Sequence, residues 1–470
     1  MELKHTIKNS KQPSAIDTQH GIAYALLKFS LPLILSGILQ QLYNWADAFI
    51  VGNVEGELAL AAIGSTTTVI NFYLTAITGF TLGLSILFGQ KYGSGQFKDI
   101  PHILSTFCIF LGAVFLFFAA AAIFLAYPLL RLLHTTPETL PLAGSYLQIV
   151  LAGIPCLAVY NVYSAALRGI GDSRTPFLAV LFSSAINVVL DILFVAFFRW
   201  GVQGAASATA ISQGAMTVFL IVYATRKHTL LCFQLHWYPL NLSLLRQGVR
   251  FGLPPMIQSS ISACGSLILQ NFMNGFGTQT VAAITTAYRI DTIVLLPIIN
   301  LGSGISTFTA QSYGAGEAKK AKKTLFVGLI LMAAVSLLLT VLVIPTGGRP
   351  IAVIPAGGRL IALFGASEEA VGIGQNFFQR IACFYIIYGL ATAVRGYLEG
   401  LGDMVYSSAA GILSLLFRIT TSYGLVSLFG NMIIAYAEGF SWGVLLLLYL
   451  LRLPFRRSSK KAKPPTLHTP

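Results

Sequence analysis

Two short stretches, "GQKYGSGQ" (Gly89–Gln96) and "AQSYGAGE" (Ala310–Glu317), stand 221 residues apart in a chain of 470. They are not isolated. "LAAIG" at Leu60 resembles "VAAIT" at Val281 with the same offset, and "KFSLPLIL" at Lys28 resembles "RFGLPPMI" at Arg250 with an offset of 222. Matches in one order at one spacing mean that the chain is a duplicated unit whose two halves run in the same direction. Further on, "LRGIGD" at Leu167 pairs with "LEGLGD" at Leu398 at an offset of 231. The ten extra residues have a visible source: "VIPTGGRPIA" from Val343 is followed at once by "VIPAGGRLIA" from Val353. This tandem duplication spans 343–362, where an outer loop lengthens at little entropic cost.

Each half is built for lipid. The chain is 55% hydrophobic and only 10% charged, with a mean hydropathy of +0.75, whereas a soluble domain carries about 25% charged residues. Apolar runs long enough to cross about 30 Å of hydrocarbon recur along its length. Twelve are expected: 28–51, 58–87, 102–126, 140–166, 176–198, 202–225, 248–274, 280–309, 324–345, 371–394, 405–428 and 432–453. Continuous apolar character over twenty-odd residues predicts helices, since barrel strands alternate over about ten. The expected fold is all-α and integral to the membrane, with two parallel six-helix lobes related by an internal pseudo-two-fold repeat. The lobes cover 25–225 and 248–453, after a cytoplasmic segment 1–24. A cytoplasmic linker, 226–247, joins them, and a disordered basic tail, 454–470, follows. The polar first twenty-odd residues hold no cleavable signal.

Lysine and arginine set the orientation, because short cytoplasmic loops retain positive charge during insertion. With the N-terminus inside, 23 of the 30 fall on inner segments, which puts both termini in the cytoplasm. The net charge of +14 is then explained by topology and anionic headgroups rather than by nucleic acid. Five cysteines without paired spacing, and histidines that avoid the helix centres, support neither a disulfide framework nor a metal site.

One carboxylate lies inside an apolar run: Asp191, in "NVVLDILFVAF" (Asn187–Phe197). An intramembrane acid costs about 2.5 to 3.5 kcal/mol or more and marks a functional site by default. Counting residues puts Asp47, Asp191 and Thr209 within roughly 6 to 10 Å of the outer boundary at about 1.5 Å per residue. Asn187 lies one turn before Asp191, on the same face. Two acids, an amide and a hydroxyl at one depth form a polar pocket. Desolvation and a second nearby carboxylate both favour a carboxyl that gains and loses a proton, while the same oxygens suit sodium. The alternative is structural: Asp47 caps its helix, and interhelical hydrogen bonds hold Asp191. Pro32 permits a kink in helix 1.

Twelve helices in two parallel halves, "FSLPLILSGILQQLYNWADAFIVG", "GQKYGSG", "LRGIGDSRTP" and "NVVLDILF" together resemble the multidrug and toxic compound extrusion (MATE) family of bacterial transporters, over residues 25 to 455. The resemblance implies a V-shaped pair of lobes that exports organic cations and other amphiphiles in exchange for protons or sodium ions. It implies a plasma-membrane monomer with small-molecule and lipid partners and no cofactor beyond the coupling ion. In the branch similar to the DNA-damage-inducible protein F, the positions matching Asp47, Asn187, Asp191 and Thr209 form the first-lobe proton or cation site, sodium included. Gln40, Tyr43, Tyr146 and Asn161 match polar residues around it.

The second half lacks a copy of this pocket: Asp47 corresponds to Leu269, Asn187 to Arg418 and Asp191 to Ser422. Its intramembrane charges are Asp291, Arg289, Arg418 and Glu438, and Arg418 is expected to pair with Asp291 or Glu438 because an unpaired buried charge is untenable. Family members with a second-lobe sodium site carry Glu in helix 7, where this chain offers Gln258. Two other functions are open to a polytopic membrane chain. A lipid-linked oligosaccharide flippase of the same superfamily calls for a basic cavity, against which the acidic first lobe argues. An intramembrane enzyme calls for a catalytic constellation at membrane depth that the sequence does not offer.

Overall fold

The computed structural model describes residues 21–233, 242–344 and 368–458. The start of the N-terminal segment, linker residues 234–241, the duplication from 345 onward and the tail from 459 lie outside the described residues. The first half comprises α1 (Gly21–Glu55), α2 (Glu57–Gly93), α3 (Asp99–Phe124), the short α4 (Ala126–Leu132), α5 (Leu140–Ile170), α6 (Arg174–Asp191) and α7 (Gly201–Lys227). The second comprises α8 (Leu242–Asn274), α9 (Thr278–Val294), α10 (Leu296–Gly314), α11 (Ala318–Val343), α12 (Glu368–Ile381), α13 (Tyr385–Gly400), α14 (Met404–Gly424), α15 (Val426–Phe429) and α16 (Ile433–Ser458). Among the described residues there is no strand.

All twelve expected spans fall on helices. Ten are long and apolar enough to cross a membrane, and α9 with α10 makes an eleventh, bent by 40° at Leu295. Pro297 explains the bend, since it lacks the N–H that would continue the helix ladder. The twelfth, α8, is 33 residues long but diluted by Gln258, Ser259, Ser260, Ser262, Ser266 and Gln270. Large apolar side chains stand exposed on the helices, among them Phe49, Phe117, Phe124 and Phe197 at 70% or more. Water would not tolerate that surface, and lipid does.

The duplicated sequence becomes duplicated turns. After α5 the Gly171 N–H bonds the Arg168 carbonyl at 3.0 Å and the Asp172 N–H bonds the Leu167 carbonyl at 2.8 Å. After α13 the same pair recurs, Gly402 to Glu399 at 2.7 Å and Asp403 to Leu398 at 3.0 Å. This closure needs a left-handed residue, which glycine supplies without strain: φ is +94° at Gly171 and +87° at Gly402. In each half the aspartate that follows is tied to the last long helix, Asp172 to Lys227 at 2.9 Å and Asp403 to Arg452 at 2.8 Å.

Asp172 also accepts from Thr175 Oγ1 at 2.7 Å and pairs with His228 Nε2 at 2.8 Å. Burial alone would push its carboxyl up, but the bonds from His228, Lys227 and Thr175 outweigh it and hold the group below the usual carboxylate range. A depressed folded value stabilises the protein above the unfolded value of about 3.9, and the gain disappears as the pH falls through the folded one. Asp172→Asn should therefore lower the melting temperature of the detergent-solubilised protein at pH 7, with the gap to wild type narrowing below about pH 4.

The chain divides into two compact units. The first runs to Ala263 and takes back Thr307–Thr324; the second holds Cys264–Ser306 and continues from Leu325. These bounds differ from the expected lobes because the first part of α8 and the end of α10 pack on the first unit. A Cβ built on Gly79 would stand 2.8 Å from the Pro255 carbonyl oxygen, so α2 and α8 approach at backbone distance. Gln311 Nε2 donates to the Gly169 carbonyl at 2.8 Å. The first unit's core is Phe80, Leu84 and Phe88 of α2 against Phe107 of α3 and Leu157 and Tyr163 of α5.

Candidate functional site

In the first unit α1 packs along α6, and α5 against α7. Asp47 lies eight residues before the end of α1, Asp191 six before the end of the segment that continues α6, and Thr209 eight into α7. Equal depth on packed helices brings the three together. The charges of Asp47 and Asp191 act on each other. Tyr146 of α5 feels both, and its hydroxyl pairs with that of Thr209. Tyr43, one turn before Asp47, faces Asp47 and Tyr160.

Asp191 is fully buried and Asn187 is 2% exposed. Neither carboxylate oxygen of Asp191 has a hydrogen-bond partner in the protein, nor does either polar atom of the Asn187 side chain, nor Asp47 Oδ1. The structural alternative required interhelical bonds at Asp191, and none is made there. Burying these groups unpaired is costly, so the arrangement is suited to an added positive charge. Two carboxylates, an amide oxygen and a hydroxyl are hard oxygen donors, which fit a proton or sodium and not a soft metal. Among the described residues no group of three or more His, Cys, Asp or Glu is placed to hold a metal, and the five cysteines are free.

Two of the expected supporting residues make no hydrogen bond to either acid. Gln40 is exposed. Asn161 turns its Nδ2 onto the Leu157 carbonyl of its own helix at 2.8 Å. Depth can be counted along a sequence, but which face of a helix a side chain takes cannot. Pro32 lies inside the continuous helix α1.

One feature was not anticipated from the sequence. Directly after Asp191 the helix widens into a π turn, Ile192–Phe197, closed by the Phe198 N–H on the Leu193 carbonyl at 2.9 Å. Arg199 then adopts a left-handed φ of +54°. Such turns gather at functional sites, and this one re-aims the chain beside the buried acid. No proline or glycine marks it between Ile192 and Arg199.

The second unit carries a different polar cluster. Arg418 Nη2 lies 2.9 Å from Glu438 Oε2 and donates to the Tyr288 hydroxyl at 2.8 Å. Asp291 takes a hydrogen bond from the Tyr385 hydroxyl instead. The partner of Arg418 is thus Glu438 rather than Asp291. Arg289 points outward, exposed. Tyr288 could have been found one turn before Asp291; Tyr385 comes from a distant helix and carried no signal.

The MatE family model matches residues 32–193 and 254–424, one match in each half of the duplication. "Probable multidrug resistance protein YpnP" of Bacillus subtilis (strain 168) is 30% identical over 401 residues, covering 84% of this chain and 86% of its own. "Probable multidrug resistance protein YoeA" of the same organism is 26% identical over 82% of this chain and 83% of its own. A solved structure described as the outward-facing conformation of a multidrug resistance MATE family transporter of the MOP superfamily superposes with a TM-score of 0.84 at 21% identity, over 94% of this chain and 97% of that one. A family model matching well over half the chain, once in each repeat, means that this multi-pass membrane protein belongs to the MatE family, whose members are secondary transporters and not enzymes.

Proposed function

We propose that the protein exports organic cations and other amphiphilic compounds across the plasma membrane by alternating access, driven by inward flow of protons or sodium ions. Both termini face the cytoplasm. The observation that carries this reading is Asp191, fully buried with both carboxylate oxygens unpartnered and with Asp47 acting on it. A group in that setting takes up one positive charge when the ion arrives and gives it up when the site is rehydrated. The ion then favours one of two conformations by its differential affinity for them. Relatives named as multidrug resistance proteins support the substrate class.

The test is ethidium transport in inverted vesicles with proton and sodium gradients imposed separately. One gradient should drive accumulation and the other should not, which names the ion. Ethidium movement indifferent to both gradients would contradict coupling.

A further inference from the structure

The cluster in the second unit is built from four helices at places the duplication does not predict. Arg418 of α14 stands where the repeat places Asn187, but Tyr288 and Asp291 come from α9, Tyr385 from α13 and Glu438 from α16. The groups are enclosed: Tyr385 is fully buried, Asp291 is 3% exposed and Glu438 9%. Their charges do not balance. Glu438 and Arg418 neutralise each other at 2.9 Å, which leaves the Asp291 carboxylate as one excess negative charge inside the membrane.

Among the described residues nothing else facing Asp291 supplies the missing positive charge. On its own helix Tyr288 is engaged with Arg418, and Arg289 is exposed. From α12, Phe377 packs on Tyr288, while Arg380 is turned onto the Asn376 carbonyl of its own helix. From α13, Tyr385 donates its hydroxyl, and Tyr388 stands farther along with Arg395, which is bound to Glu399 at 2.7 Å. Asp291 also sits one turn before the 40° break at Leu295. A side chain at a helix break is where a change of charge can alter the angle between the two segments.

We propose that Asp291 is a second proton-binding site of this transporter: its carboxyl takes up a proton beside the Tyr385 hydroxyl, with the Arg418 and Glu438 pair as a fixed neutral neighbour. The site shares no residue with Asp47 and Asp191, and its protonation is a property of the second unit by itself. Proton uptake forms an O–H bond on the carboxyl and removes the excess charge, and release to water restores it.

The experiment is infrared difference spectroscopy of the purified full-length protein as pH is stepped, reading the carbonyl band of protonated carboxyls. Asp291→Asn should lose one band that Asp191→Asn retains. Tyr385→Phe should keep that band at a shifted frequency, because the carboxyl survives and its donor does not; this variant also serves if Asp291→Asn does not fold. An Asp291→Asn spectrum identical to wild type, or an unmoved band in Tyr385→Phe, would overturn the proposal. So would a band whose titration moves with sodium concentration, which would make the site one for an alkali ion. No substrate is present, so failure of the efflux reading and failure of this one are separable.

Discussion

Asp191→Asn is expected to reduce ion-driven efflux to background while leaving the protein folded and in the membrane. Asparagine keeps the shape and removes only the ability to change charge. No hydrogen bond from the rest of the protein is lost, because neither oxygen of Asp191 makes one. Removing a buried unpaired acid relieves desolvation and so does not destabilise the helix packing. Asp47→Asn should follow the same pattern more weakly, since Asp47 is only half-buried. Expression and melting temperature of Asp191→Asn are read beside ethidium efflux. A folded variant that still pumps at the wild-type rate would make the acid structural and move the search for coupling to Asp291.

The second large effect is on stability. Arg418 and Glu438 are a buried pair with side chains only 20% and 11% exposed. Breaking such a pair from one side leaves the other charge stranded, at a cost of about 3 to 5 kcal/mol. Arg418→Met should therefore lower the melting temperature sharply. Exchanging both partners for apolar residues is often neutral, so Arg418→Met with Glu438→Met should recover most of the loss. This non-additivity in thermal unfolding distinguishes a charge pair from a packing contact. Arg418→Met as stable as wild type would show that Glu438 does not depend on it.

The fold was largely legible because hydropathy is a sum. Over some twenty residues a single serine or charge does not hide a span, and even the diluted α8 reads as an apolar run, 248–274, which also matches the first half at Arg250. The bend at Leu295 was readable from Pro297 but passed as one continuous span, 280–309. In the site, depth was legible and rotation was not. Asp47, Asp191, Asn187 and Thr209 could be set at one level by counting residues. That Tyr146 joins them, while Asn161 turns back on its own helix, depends on which face each helix shows to its neighbours. The π turn after Asp191 depends on packing alone, since "ILFVAF" is an ordinary apolar run. Repeat logic worked for turns and failed for charges. Turns answer to local backbone needs that both halves share, whereas each pocket was assembled from side chains on several helices.

The central claim is that substrate and ion movements are joined at Asp191. The most direct measurement uses proteoliposomes with a pH- or sodium-sensitive dye inside, an ethidium gradient outside to inside, and no ion gradient at the start. Downhill ethidium should drive one ion the opposite way in wild type, with no ion movement in Asp191→Asn. Ethidium flow without ion flow in wild type, or equal ion flow in Asp191→Asn, would contradict the account.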